Sequence, residues 1–298
     1  MVVIHGIASN HNSWDLEEDR SLAVALEEQG FDAWLLDLRG HGDAINDKNG
    51  ERQRHGWSID DYGKSDLSTA IDYIRTSTGQ DKVAVVGHSM GGMVAAAYHG
   101  HHGDDHIAAL VVVGSPIDFD NPNFMYHLSQ VGFGIGTAFR SFGMQKYAHH
   151  LGALNGVIPV HGEYLLFNPR NMQPSIRKKM MRQIVSPVSR EELQHVETIL
   201  RKRSFTSTDE TMNYAEALNT LDVPFLAISG AADNVVPPER VEAWTSLISS
   251  TDVQYIEASA AAGFRHNYGH VDLVIGDHVK EEILEPIVDW LTERKDAW

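Results

Sequence analysis

The chain has 298 residues, enough to bury a full core without a staple, and its 41 acidic and 24 basic residues leave a net charge of −17. That balance argues against nucleic acid or an anionic membrane surface as a partner. The absence of cysteine excludes disulfides, thiolate catalysis and cysteine-held metals. No apolar run reaches membrane-spanning length, and the first residues lack the basic start and long apolar core of a signal peptide, so the chain reads as cytoplasmic.

Val2–Ile4 reads as a short strand running into His5-Gly6-Ile7. Residues 21–29 read as a helix stopped by Gly30, and 33–36 as a strand ending in Asp37-Leu38-Arg39-Gly40-His41-Gly42. Ser58 and Asp61 form a capping-box pattern before a helix whose apolar side carries Tyr62, Leu67, Ile71 and Ile74. A β-branched strand at 83–86 then meets Gly87-His88-Ser89-Met90-Gly91 and a helix of small residues. Strand, G-x-S-x-G and helix in that order make a nucleophile elbow, which pushes the Ser89 hydroxyl out of the sheet. Another apolar strand follows at 107–113. Apolar strands alternating with helices indicate an α/β protein with a mostly parallel sheet covered on both faces.

The alternation breaks after Asp118 and resumes near residue 218. Residues 174–184 and 189–203 look like amphipathic helices, and the stretch 119–217 reads as a helical cap inserted into a core of 1–118 and 218–298. Val223–Ser229 is the next strand, ending in Gly230-Ala231-Ala232-Asp233, with a helix at 238–249 and a last strand at 253–257. A loop with His266 and His270 precedes the final helix, 278–294.

Ser89, Asp233 and His270 therefore arrive at strand ends, where parallel sheets collect function. A serine hydroxyl needs a neighbouring base, and a histidine with its ordinary pKa of about 6.5 can serve. A carboxylate fixes the tautomer of that histidine and stabilises the imidazolium. The oxyanion needs two fixed donors, for which the Met90 and Ile7 amides are placed.

The chain resembles the α/β-hydrolase superfamily, in particular its serine esterases and lipases. The residues that carry the resemblance are His5-Gly6-Ile7 through Trp14, the Asp37–Gly42 turn, Gly87–Gly92, Gly230–Asp233 with Val236-Pro237, and Gly269-His270-Val271-Asp272-Leu273. The resemblance implies an α/β-hydrolase fold and a metal-independent, cofactor-free carboxylic ester hydrolase. Its catalytic residues would be Ser89, Asp233 and His270, and its oxyanion donors Ile7 and Met90. Members of the superfamily usually carry an antiparallel strand pair before the oxyanion loop, whereas this chain begins at that loop's own strand. The strand at 33–36 is then expected to be an exposed edge, or one covered by a partner chain in a homodimer.

Several alternatives stand beside this reading. Asp118 is a rival acid and His266 a rival base. Asp272 reads as a structural hydrogen-bonding partner, His5 as a support for its loop, and Arg39 as a brace at the rim. Phe124, Met125, Phe133 and Phe139 are expected to line an apolar acyl pocket, against the plainer reading that they pack the cap. His99 to His106 has a metal-binding composition but reads as a surface loop. The same three residues would serve an acyltransferase, thioesterase or perhydrolase, and a binding protein on a hydrolase fold is a further class.

Overall fold

The computed structural model describes residues 1–46, 56–120 and 163–295. Six parallel strands form one sheet: β1 (Val2–Ile4), β2 (Trp34–Leu36), β3 (Val83–His88), β4 (Ile107–Val113), β5 (Phe225–Gly230) and β6 (Val253–Ala258), in the order β2-β1-β3-β4-β5-β6. Side chains alternate across a strand. Val85, Leu110, Val112 and Phe225 accordingly face one apolar core, and Val86, Val111, Val113 and Leu226 the other. β2 pairs only with β1 among the described residues, so it is the edge expected of it.

Helices cover both faces. Helix α1 (Leu22–Glu28) is capped by the Ser21 hydroxyl and is followed by Gly30 at a φ of 81°, a conformation glycine adopts without strain. Helix α2 (Ile59–Asp61) begins with the Ser58 amide donating to the Asp61 carboxylate at 2.8 Å. It widens into a π-turn over Tyr62–Leu67 and continues as α3 (Ser68–Thr78). At Gly63 in that turn, a Cβ would stand 2.6 Å from the Ala97 Cβ, so only glycine lets this helix meet α4 (Met90–His102) so closely.

Helix α4 runs further than the loop reading of the histidine stretch allowed. His99, His101 and His102 belong to its last turn, and Gly103 ends it at a φ of 73°. Their rings go to separate partners: the Ala217 carbonyl, the Tyr214 hydroxyl and the Lys64 carbonyl.

Between β4 and β5 lie α5 (Glu163–Leu166), α6 (Pro174–Gln183), α7 (Arg190–Lys202) and α8 (Tyr214–Ala217). Phe167, Ile176 and Met180 join one core of the sheet, and Ile199, Phe205 and Tyr214 the other. The expected single helix at 238–249 is instead two pieces, α9 (Pro238–Glu242) and α10 (Trp244–Leu247). Trp244, which opens the second piece, is fully buried and donates to the Ser115 carbonyl at 3.0 Å. After α11 (Asp272–Ile275), the last helix widens over Lys280–Leu284 before α12 (Glu285–Thr292). Pro286 has no N–H to return to the preceding turn, which accounts for the widening.

Candidate active site

Ser89 sits between β3 and α4 at φ 52°, ψ −118°, a strained region for a residue with a side chain. The strain persists because both neighbours are pinned. The Ser89 amide donates to the Val113 carbonyl at 2.9 Å, and β3 and α4 pack backbone on backbone. A Cβ on Gly87 would stand 2.5 Å from the Gly91 carbonyl carbon, and one on Gly91 2.6 Å from the Ile4 oxygen.

His270 reaches Ser89 from the far end of the sheet. Its Nε2 lies 2.9 Å from the Ser89 Oγ and its Nδ1 2.7 Å from the Asp233 Oδ2. The other Asp233 oxygen accepts the amides of Val235 and Val236 at 2.8 and 2.7 Å. All three side chains are buried. The structure thus brings the three residues into one hydrogen-bonded chain. The rival acid, Asp118, is instead ion-paired with Arg240, and His266 packs beside His278.

The loop that carries His270 is tied down by Asp272, as expected of a structural partner. Its carboxylate accepts the Gly269 amide at 3.0 Å, the Asn168 amide at 3.1 Å and the Asn171 side-chain amide at 3.1 Å. Burial pushes Asp272 up to about 6 even though these bonds favour the anion. His88 turns away from Ser89 and lies 3.1 Å, through Nε2, from the His270 carbonyl. A carbonyl only accepts, so Nε2 carries the hydrogen. Burial holds this ring well below its ordinary pKa, with His270 adding to the effect.

The turn after β1 lies across Ser89: a Cβ on Gly6 would stand 3.2 Å from the Ser89 Cβ. His5 Nε2 accepts the Leu38 amide at 3.2 Å, so its hydrogen is on Nδ1, which donates to the Gly6 carbonyl at 2.8 Å. Trp14 donates to the Ile4 carbonyl at 3.0 Å, and Ser186 to the Ala8 carbonyl at 2.9 Å. Fixing the Gly6 carbonyl fixes the other side of the same planar peptide, the Ile7 amide. That amide takes no backbone carbonyl among the described residues. Met90 is the first residue of α4, where amides lack intrahelical partners.

Arg39 does not reach this site; its guanidinium and amide both engage Asp66 in the π-turn. His11, Asp37 and Asp43 place three ligand atoms within 4.8 Å of one another. Both Asp37 oxygens already accept protein donors, from His11 and from the Asp43 amide, so the cluster closes its own turn. Phe124, Met125, Phe133 and Phe139 lie outside the described residues. Sequence reasoning missed Asn168 and Asn171, and also the Asn10 side chain, which donates to the Gln183 carbonyl at 2.9 Å and to the Ser186 hydroxyl at 3.1 Å. No local pattern marks contacts across such separations.

The parallel sheet and the elbow at its centre are those of an α/β-hydrolase. Residues 1–265 match the family model described as alpha/beta hydrolase fold, and the chain belongs to that family. Among curated proteins it is 22% identical to the poly(3-hydroxyalkanoate) polymerase subunit PhaC of Haloferax mediterranei, over the whole of this chain and 59% of that protein's length. It is 23% identical to triacylglycerol lipase 1 of Arabidopsis thaliana, covering 96% of this chain and 78% of the lipase. Among solved structures, a thermophilic esterase from Thermogutta terrifontis matches with a TM-score of 0.64 at 20% identity, covering 98% of this chain and 89% of the other. No helix among the described residues is long and apolar enough to cross a membrane.

Proposed function

We propose that the protein is a serine hydrolase that cleaves carboxylic esters with an apolar acyl group through an acyl-enzyme. The observation that carries the reading is the Ser89–His270–Asp233 chain, with distances of 2.9 and 2.7 Å. Asp233 accepts the Nδ1 hydrogen and so leaves a lone pair on His270 Nε2, the atom facing Ser89. As Ser89 Oγ attacks the ester carbonyl, its proton passes to Nε2. The oxyanion that forms is held by the Ile7 and Met90 amides, each worth roughly 10²–10³ in rate where such donors have been removed. The imidazolium is stabilised by the buried Asp233 carboxylate and returns its proton to the departing alcohol. Water, deprotonated by His270, then releases the acid and restores Ser89.

Initial rates on p-nitrophenyl esters from acetyl to palmitoyl, with wild type beside Ser89→Ala, test this. Turnover that peaks at one chain length and disappears in the variant is the expected result. Undiminished turnover by Ser89→Ala overturns the assignment.

The polymerase relative favours a second reading, in which a hydroxyl other than water's takes the acyl group. The same His270 would deprotonate that hydroxyl. Added alcohol then diverts product from acid to new ester, and a constant acid yield excludes it.

A further inference from the structure

Helix α7 carries a carboxyl group that none of these steps uses. Glu192 is fully buried in its first turn. Its amide donates to the Ser189 hydroxyl at 2.9 Å, and that hydroxyl donates to the Trp57 carbonyl at 2.8 Å. Its Oε2 accepts the Tyr62 hydroxyl at 3.0 Å and the Ser189 amide at 3.2 Å. Its Oε1 has no partner and lies 3.8 Å from His41 Nε2, which has none either. The second His41 nitrogen, Nδ1, is 3.3 Å from the Arg39 carbonyl, so it carries the hydrogen and Nε2 presents a lone pair. A carboxylate in this position would set lone pair against lone pair inside the protein; at 3.8 Å the two atoms are too far apart to hydrogen-bond, and a proton on Oε1 removes both the buried charge and the repulsion.

The charged and titratable neighbours agree on where that proton sits. Tyr62 packs from the π-turn, His41 from the turn after β2, His5 from the end of β1, and Glu191 lies beside Glu192 on α7. Asp37 and Asp66 lie further out, engaged by His11 and Arg39. No lysine or arginine pairs with Glu192 among the described residues. Burial pushes Glu192 up to about 8, and burial, with His5 adding to it, lowers His41 to about 3. The His41 ring packs 5.0 Å from the His5 ring, and His5 holds the Gly6 carbonyl.

We propose that Glu192 is a positioning residue: as a neutral acid facing His41 across 3.8 Å, it leaves His41 seated against His5 and thereby steadies the Gly6–Ile7 peptide. The effect on turnover rests on the oxyanion role given to Ile7 above; the proton assignment does not.

The test compares wild type with Glu192→Gln and Glu192→Leu. The glutamine side chain stays neutral toward His41 and keeps an acceptor toward Tyr62 at every pH. In wild type kcat falls as pH rises through about 8; Glu192→Gln removes that fall and stays within about twofold of wild type at pH 7. Glu192→Leu lowers kcat about tenfold with KM little changed. An unaltered alkaline limb in Glu192→Gln, or full kcat in a folded Glu192→Leu, overturns the proposal. A second arm measures Tm against pH in the Ser89→Ala background. Folded Glu192 keeps its proton up to about 8, while the unfolded chain loses it above its ordinary value, near 4.5. Stability from this group therefore drains as pH rises between those values and levels off above. The Tm gap between Glu192→Gln and the parent should widen by about 5 °C from pH 5 to 8 and then hold. A constant gap overturns the proton assignment whether or not any ester is turned over. Absence of ester turnover by wild type removes the oxyanion role, and the Tm arm then decides the rest.

Discussion

Asp233→Asn is the substitution that most sharply tests how His270 is oriented. Every lone pair that Asp233 uses is accounted for: Oδ1 holds the Val235 and Val236 amides, and Oδ2 holds His270 Nδ1. An asparagine side chain has the same shape but only one oxygen. That oxygen stays on the two backbone amides, because turning it round would set an NH₂ group against two N–H donors. The NH₂ group then faces His270 Nδ1, which must become an acceptor, and the ring hydrogen moves to Nε2. The base that should take the Ser89 proton now already carries one. Where this exchange has been made in a serine protease the loss in kcat was about 10⁴-fold, or about 5.5 kcal/mol at 1.36 kcal/mol per tenfold. The same loss is expected here, with KM within a few-fold and the fold intact. Steady-state kinetics on p-nitrophenyl butyrate, with circular dichroism as a control, would measure it. A variant that keeps kcat within tenfold of wild type would refute the claim that Asp233 orients His270.

Three further substitutions follow from the same geometry. Asp118→Asn breaks the ion pair with Arg240 and should leave kcat within about threefold, since surface and half-exposed pairs contribute little; a collapse in kcat would make Asp118 the acid. Gly91→Ala places a methyl group 2.6 Å from the Ile4 oxygen and 3.0 Å from the His5 oxygen, both backbone atoms that cannot turn aside. It should cost about 2–3 kcal/mol and lower Tm by about 3–5 °C, and an unchanged melting curve would contradict the close approach. Asp272 is raised to about 6 in the fold against an ordinary 3.8, so the folded state binds more protons between those values. Stability from this group falls by about 2–3 kcal/mol as pH rises from 4 to 6 and is level above, and urea unfolding at pH 4 to 7 should show that slope lost in Asp272→Asn.

Apart from Ser89, Asp233 and His270, which strand-end motifs and the family resemblance supplied, the features legible beforehand are those whose geometry is local. Ser89 must stand between two glycines because the elbow brings β3 onto α4 within a few residues, and that requirement is written in the spacing itself. The edge position of β2 came instead from the family resemblance, since chain order alone does not place β2 outside β1 in the order β2-β1-β3. Glu192 shows how a local pattern can be present and still hide the chemistry. Ser189 and Glu192 are three residues apart, as in a capping box, and the structure has that box. The pattern describes the helix start and says nothing of Tyr62, 130 residues away, or of His41, which together put the carboxyl inside the protein. His99, His101 and His102, read as part of a surface loop, are instead helical. Their composition suggests one shared ligand, yet a helix sends side chains in different directions from successive residues, and each ring finds its own partner. Sequence spacing thus specifies a site where the chain supplies both partners within one turn. Where the partners come from different elements, packing decides, and the residues it chooses here sit behind the Gly6–Ile7 peptide and the His270 loop rather than at Ser89.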